Sequence, residues 1–145
     1  MSEKLSPRSL ELLTLERVAH LATADQYARP HIVPIVFVYE DPFVFTPIDA
    51  KPKSAEDWRD LRRIRNIETN GRASVLVDIY SENWAKLAWV RMDGVAEILT
   101  KGDDHRHALG LLAAKYKQYE GIPLLDAPVI RVRVEHVAEW HASSS

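Results

Sequence analysis

The stretch "ARPHIVPIVFVYED", residues 28–41, limits the fold more than any other part of the chain. Ile32, Val36 and Val38 alternate with Val33, Ile35 and Phe37, so a strand built from it is apolar on both faces. Such strands belong to sheets covered on both sides, or to closed and nearly closed barrels whose outside is also packed. Pro34 removes one ladder donor from the run, which places that point at an edge, a bulge or a ligand.

The neighbouring patterns extend this reading. "RVAHLATAD" precedes it as a strand of small and β-branched residues, and "FVFT" returns after the turn "EDP" as a third strand. "RASVLVDIY", "LAWVRMDGVAEIL" and "VIRVRVEHVAEW" read as three more. In the last of these Ile130, Val132 and Val134 face one way and Arg131, Arg133 and Glu135 the other. Asp93-Gly94 interrupts the fifth strand without a hairpin, because apolar residues resume at once, so a bulge or sharp bend is expected there.

Three helices fit between the strands. Ser6 followed by Pro7 predicts a capped opening helix with Leu10, Leu13 and Val18 on its apolar stripe and Leu12 beside them. Ser54 with Asp57 fits a capping box. Trp58, Leu61, Ile64 and Ile67 then line one face of a helix that Asn70-Gly71 ends. Asp103 or Asp104 caps a third helix running to about Tyr119, with Ala108, Leu111, Leu112 and Tyr116 inward. The order is helix, three strands, helix, two strands, helix, strand. Antiparallel hairpins with helices segregated outside give an α+β barrel in one domain spanning 1–145.

Composition excludes several classes. The 145 residues include no cysteine, which removes disulfides and thiolate metal sites. No apolar run approaches the ~20 residues of a membrane helix, and "MSEKLSPRSL" lacks the apolar stretch of a signal peptide. A soluble, cytoplasmic protein is expected. A net charge of −2 gives no general affinity for nucleic acid or membrane. His20, His31 and His136 fall on strands and His105 and His107 near a helix start, none at metal-ligand spacing, so no metal site is expected. There is no glycine-rich phosphate loop.

Charge nonetheless concentrates in one place. Lys51, Lys53, Arg59, Arg62, Arg63 and Arg65 outnumber Glu56, Asp57 and Asp60 where a strand passes into a helix. A helix N-terminus offers free N–H groups and the positive end of its dipole, and flanking cations add charge-assisted bonds to a phosphate. The stretch is either such an anion site or a solvated charged face. Tyr80, Trp84 and Trp89 supply aromatic surface, either as packing or as walls of a slot for a flat ring.

With these residues in hand, the sequence resembles the pyridoxamine phosphate oxidase-like split β-barrel proteins, and most closely the small members that use the deazaflavin coenzyme F420. The likeness covers roughly Arg17 to Trp140 and is carried by "RPHIVPIVF", "FTPIDAKPKS", "LRRIRNIETNGRASVLVD" and "WAKLAWVRMDG". It implies an FMN-binding type of split barrel, of about six antiparallel strands with helices outside. It also implies a homodimer with the coenzyme held at the interface by both chains.

By the same likeness Arg62 and Arg63 hold the cofactor phosphate, with Lys51, Lys53 and Ser54 as further contacts and Thr46 near the ribityl-phosphate region. Trp89 lies against the ring edge, and Val33 and Pro34 meet the ring through their backbone. On their aromatic character rather than on the likeness, Tyr80 and Trp84 are the candidate walls of the substrate pocket. The activity implied is an oxidoreductase passing hydride between F420 and a small organic substrate, with FMN as the alternative cofactor. A haem or tetrapyrrole binder on the same barrel, with His31 as ligand, is the non-enzymatic alternative. No catalytic acid or base is identified. The chain departs from pyridoxamine phosphate oxidase proper, which is longer and carries a C-terminal arginine-rich segment for its substrate phosphate.

Overall fold

The computed structural model describes residues 4–48 and 57–143. Along the chain run α1 (Pro7–Leu15), β1 (Ala19–Ala24), β2 (Pro30–Ile35), β3 (Val38–Glu40) and β4 (Phe43–Pro47). They are followed by α2 (Arg62–Thr69), β5 (Arg72–Ile79), β6 (Ala88–Leu99), α3 (Asp103–Lys115) and β7 (Val129–His141). All strand pairs are antiparallel, in the order β2-β1-β5-β6-β7-β4-β3.

The doubly apolar stretch is therefore two strands, not one, which makes seven instead of six. β2 pairs with β1 at one edge of the sheet and β3 pairs with β4 at the other. Only Val36 and Phe37 lie between them, so the two edges are drawn together into a split barrel. Only one face of the β2 part is covered within the chain, contrary to the expectation of packing on both sides: Ile35 is buried, whereas Ile32 is 64% exposed. Pro34 sits on β2, an edge strand, as its missing N–H requires.

Breaking the strand frees backbone groups that must find partners. The Tyr116 hydroxyl supplies them: it accepts from the Phe37 N–H (3.0 Å) and lies within reach of the Phe37 and Arg17 carbonyls (3.0 and 2.8 Å). Phe37 itself is fully buried.

Inside the barrel Leu21, Val44, Val75, Val77, Val90, Met92, Ile130 and Val132 form the core, closed below by Ile64 and Ile67 of α2. A second cluster joins Ala108 and Leu112 of α3 and Tyr116 at its C-cap to Phe45 and Val129 on the outer side of β4 and β7. Arg131 adds an ionic clamp, bonded to Glu97 of β6 and Asp104 of α3 while lying over the Phe43 ring at 4.6 Å. The α3 helix starts one residue earlier than its acidic residues suggest. Gly102, at φ 98°, is its N-cap, and Asp103 and Asp104 occupy the first turn without capping it. It ends at Lys115 and gives way to a 3-10 turn over Lys117–Glu120.

The opening helix is capped as expected, Ser6 accepting from the Ser9 N–H. Its buried apolar residues are Leu12 and Leu13; Leu10 is exposed, and Val18 lies beyond the helix. Buried Ser9 clasps the far end of β7. Its hydroxyl bonds the Glu139 carboxylate and His141 Nε2 (2.8 Å), and Ser6 adds a further bond to Glu139 (2.9 Å). Burial favours the neutral acid, yet these serine bonds hold the Glu139 carboxyl below its ordinary range.

The bend foreseen at Asp93-Gly94 is present, but the extra residue belongs to the partner strand. Asp93 lies opposite His136 and Gly94 opposite Val134, so Glu135 has no counterpart. At Gly94 the strands approach so closely that a Cβ would stand 1.9 Å from the Arg133 carbonyl oxygen.

Two substitutions test this closure by denaturant unfolding. Tyr116→Phe strands the buried Phe37 N–H and should cost about 1–3 kcal/mol. Gly94→Ala drives a methyl into backbone and should cost at least ~3 kcal/mol, or prevent folding. Wild-type stability in Gly94→Ala would refute the described register.

Candidate functional site

Strand register decides which sequence-predicted residues meet. His31 lies opposite Thr23 at one end of the β1-β2 pair, on the side facing α2. Asn66 of α2 donates to the Thr23 hydroxyl (3.0 Å), a buried bond that fixes the helix against β1. Asp57 accepts from the Arg59 N–H and caps a 3-10 turn over Trp58–Asp60. The helix itself begins at Arg62, after Leu61, with no side-chain cap. Arg62 and Arg63 thus occupy its first turn, where backbone N–H groups lack intrahelical partners. Ser54, the other half of the expected capping box, lies outside the described residues, as do Lys51 and Lys53.

His31 reports on this corner. Burial first, then the charges of Arg62 and Arg63, hold its imidazole below the ordinary histidine range. Its Nδ1 is shut off from solvent and has no hydrogen-bond partner among the described residues. A buried polar atom left unsatisfied costs about 1–3 kcal/mol. With its proton on Nδ1, a neutral imidazole beside two guanidinium groups donates to an anion that accepts hydrogen bonds. A phosphate oxygen fits that set.

The remaining predicted residues are spread out. Thr46 is buried on β4 opposite Ile130, on the core side with Val44. Val33 packs against the core and Pro34 is exposed opposite His20. Trp89 lies opposite Trp140 on the outer face, while Tyr80 and Trp84 stand largely exposed around the β5-β6 connection. Thr23 aligns with Ala73, whereas Tyr80 follows Ile79 at the opposite end of β5. About six strand residues, roughly 20 Å, separate the cationic corner from the exposed aromatics. One chain does not bring them together.

The outer face between them is open. Register sets Ile32, Ala22, Ser74, Asp93 and His136 in one row and Pro34, His20, Leu76, Arg91 and Ala138 in the next. Ile32 and Trp140 are exposed large apolar residues on it. Ser74 donates to Asp93 (2.7 Å), which also accepts from Arg91 (3.1 Å). Among the described residues no group of histidine and carboxylate side chains could hold a metal, and no helix is long and apolar enough to cross a membrane.

A seven-stranded split barrel with three helices and a polar corner at one rim defines the class. Residues 5–141 match the pyridoxamine 5'-phosphate oxidase family model, and the chain belongs to that family. No curated protein matches the sequence. Solved structures share the fold at low identity. The haem storage protein HutZ from Vibrio cholerae is 19% identical over 96% of this chain and 95% of that one, with a TM-score of 0.72. A FAD-binding protein from Mesorhizobium loti is 24% identical over 93% and 94%, at 0.67. A haem-binding protein from Mycobacterium smegmatis is 19% identical over 94% of this chain but 55% of its own, at 0.69.

His31 was the residue that spacing alone left without a phosphate role. Its pairing with Thr23, and hence its place beside α2, depends on a register that no local pattern contains. NMR titration should find His31 ionising below the ordinary ~6.5. Its contribution to stability should be whole above that value and lost as pH falls from there through the lowered one. Arg62→Gln should move the His31 midpoint upward; an unmoved midpoint would separate the two residues.

Proposed function

We propose that the chain is an oxidoreductase that binds a tricyclic, phosphate-bearing redox cofactor, coenzyme F420, and passes hydride between it and a small organic molecule. The observation that carries this reading is the corner at the first turn of α2, where Arg62 and Arg63 stand beside His31, whose Nδ1 has no hydrogen-bond partner among the described residues. When bound, the deazaflavin supplies the hydride at its C5 carbon.

The chain's own residues bind and orient. Arg62 and Arg63 neutralise the phosphate, His31 offers a neutral nitrogen, and Lys51, Lys53 and Ser54 extend the grip from the preceding segment. Thr46 lies on the strand leading into that segment. No acid or base is required of the protein, because hydride transfer needs placement and exclusion of water.

The ~20 Å between corner and aromatics supports a homodimer. In it the open outer face of one copy, through Ile32 and Trp140, meets its partner, and Trp84, Trp89 and Tyr80 reach a cofactor anchored on the other chain. Ile32→Asp should then yield a monomer by sedimentation and weaken cofactor binding.

FMN is the second reading, since it too presents a phosphate and a tricyclic ring, and a FAD-binding protein shares the fold. Haem is the third: the depressed His31 would stay neutral, as an iron ligand must, and haem proteins share the fold.

Titration of the purified protein separates the three. Quenching of F420 fluorescence by a colourless protein supports the first, a bound yellow FMN spectrum the second, and a Soret shift on hemin addition the third. Arg63→Ala and Lys53→Ala should each weaken F420 binding severalfold or more. Unchanged affinity in both variants would remove the phosphate site.

A further inference from the structure

A cavity of about 940 Å³ opens at the end of β1 opposite the His31 corner. Val18 and Val36 form one wall, beside the Ala19-Ile35 pair, and the 116–128 segment forms the other. Thr23 is five residue steps along the strand from Val18, roughly 17 Å, so this space is distinct from the phosphate corner.

The lining is mostly apolar, and three large side chains are left in water there: Val18 is 50% exposed, Ile122 74% and Leu125 78%. Leu124 and Tyr119 add to the same walls. Leu125 also holds a left-handed backbone, φ 53°, which a leucine adopts at a cost. Exposure and backbone strain thus fall on one residue of one concavity.

Charge on the rim has a sign. Arg17 and Lys117 line the cavity against a single carboxylate, Asp126. Neither cation forms an ion pair among the described residues. Arg17 is held in place, donating to the Lys115 carbonyl (2.7 Å) and lying 5.3 Å from the centre of the Tyr116 ring. Lys115 lies behind it, its ammonium bonded to the Leu13 carbonyl and 3.8 Å from the centre of the Phe37 ring. Burial and the Arg17 charge push Lys115 down to about 8, against the opposing pull of Glu16.

We propose that this cavity is a second small-molecule site, taking an apolar carboxylate whose hydrocarbon part lies among Val18, Val36, Ile122, Leu124 and Leu125 and whose carboxylate meets Arg17. Its volume falls within the ~300–1,000 Å³ of ligand pockets, and its concavity favours a small molecule over a protein face. The reading stands independently of the cofactor.

Decanoate, decanol and decylammonium share one chain length and differ in head group, so their displacement of anilinonaphthalene sulfonate from the full-length protein isolates each contribution. Decanoate should bind at least ~10-fold more tightly than decanol, and decylammonium more weakly than either. Arg17→Gln should bring decanoate to the affinity of decanol and leave decanol unchanged. Leu125→Asn places a residue suited to left-handed backbone, so its melting temperature should hold or rise while decanoate binding falls severalfold.

Equal affinities for decanoate and decanol would overturn the proposal, as would unaltered decanoate binding in Leu125→Asn. So would a concentration-dependent loss of decanoate binding as the protein self-associates, because a second copy would then fill the space. Arg63→Ala, a change at the other corner, should leave decanoate affinity unchanged; a loss there would merge the two sites and sink the claim.

Discussion

One tyrosine hydroxyl makes the barrel possible. The segment from Pro30 to Glu40 has to end one edge of the sheet and begin the other, and it turns between them at Val36 and Phe37. Backbone groups at such a break are costly when buried. Tyr116, at the end of a helix far away in sequence, meets both polar groups of Phe37. The break, the buried end of α3 and the packing of its cluster on β4 are therefore one feature. Around it the α3 side chains at 108, 112 and 116 are spaced to reach the sheet together.

The same break explains what was legible in the sequence and what was not. Two-sided apolarity signalled a barrel, and alternation located the strands from Ala73 to Val77 and Ile130 to Val134 correctly. It did not show that one run was two strands, because nothing in "IVFV" marks a change of pairing partner. Spacing puts Val18 on the helix stripe because it cannot distinguish a last helical turn from the approach to a strand. Leu12 became core, while Leu10 did not, for the same reason: the face of a short helix is chosen by its neighbours.

At the candidate site, composition identified the cations and topology identified their companion. Arg62 and Arg63 stand out as charge in any window of the sequence. His31 is one of six histidines and acquires meaning only once β2 is paired with β1. The aromatic residues were readable as unusual, yet their distance from the corner follows from strand direction, which local patterns leave open. Tyr80 and Trp84 belong to the far end of the β5-β6 hairpin because antiparallel pairing sends its connection away from α2.

Glu135 gives the final strand an unequal tolerance. Up to Val134 the even-numbered residues point inward; beyond the extra residue Val137 is buried and Trp140 turns out. Deleting Glu135 would leave a regular strand with both halves facing as they do now. Inserting a residue beside it would restore the alternation too, but a regular ladder would then slide the distal half two residues along β6, so that His136 leaves Asp93. Length variation at this point should therefore run toward loss among chains that keep the same pairing with β6.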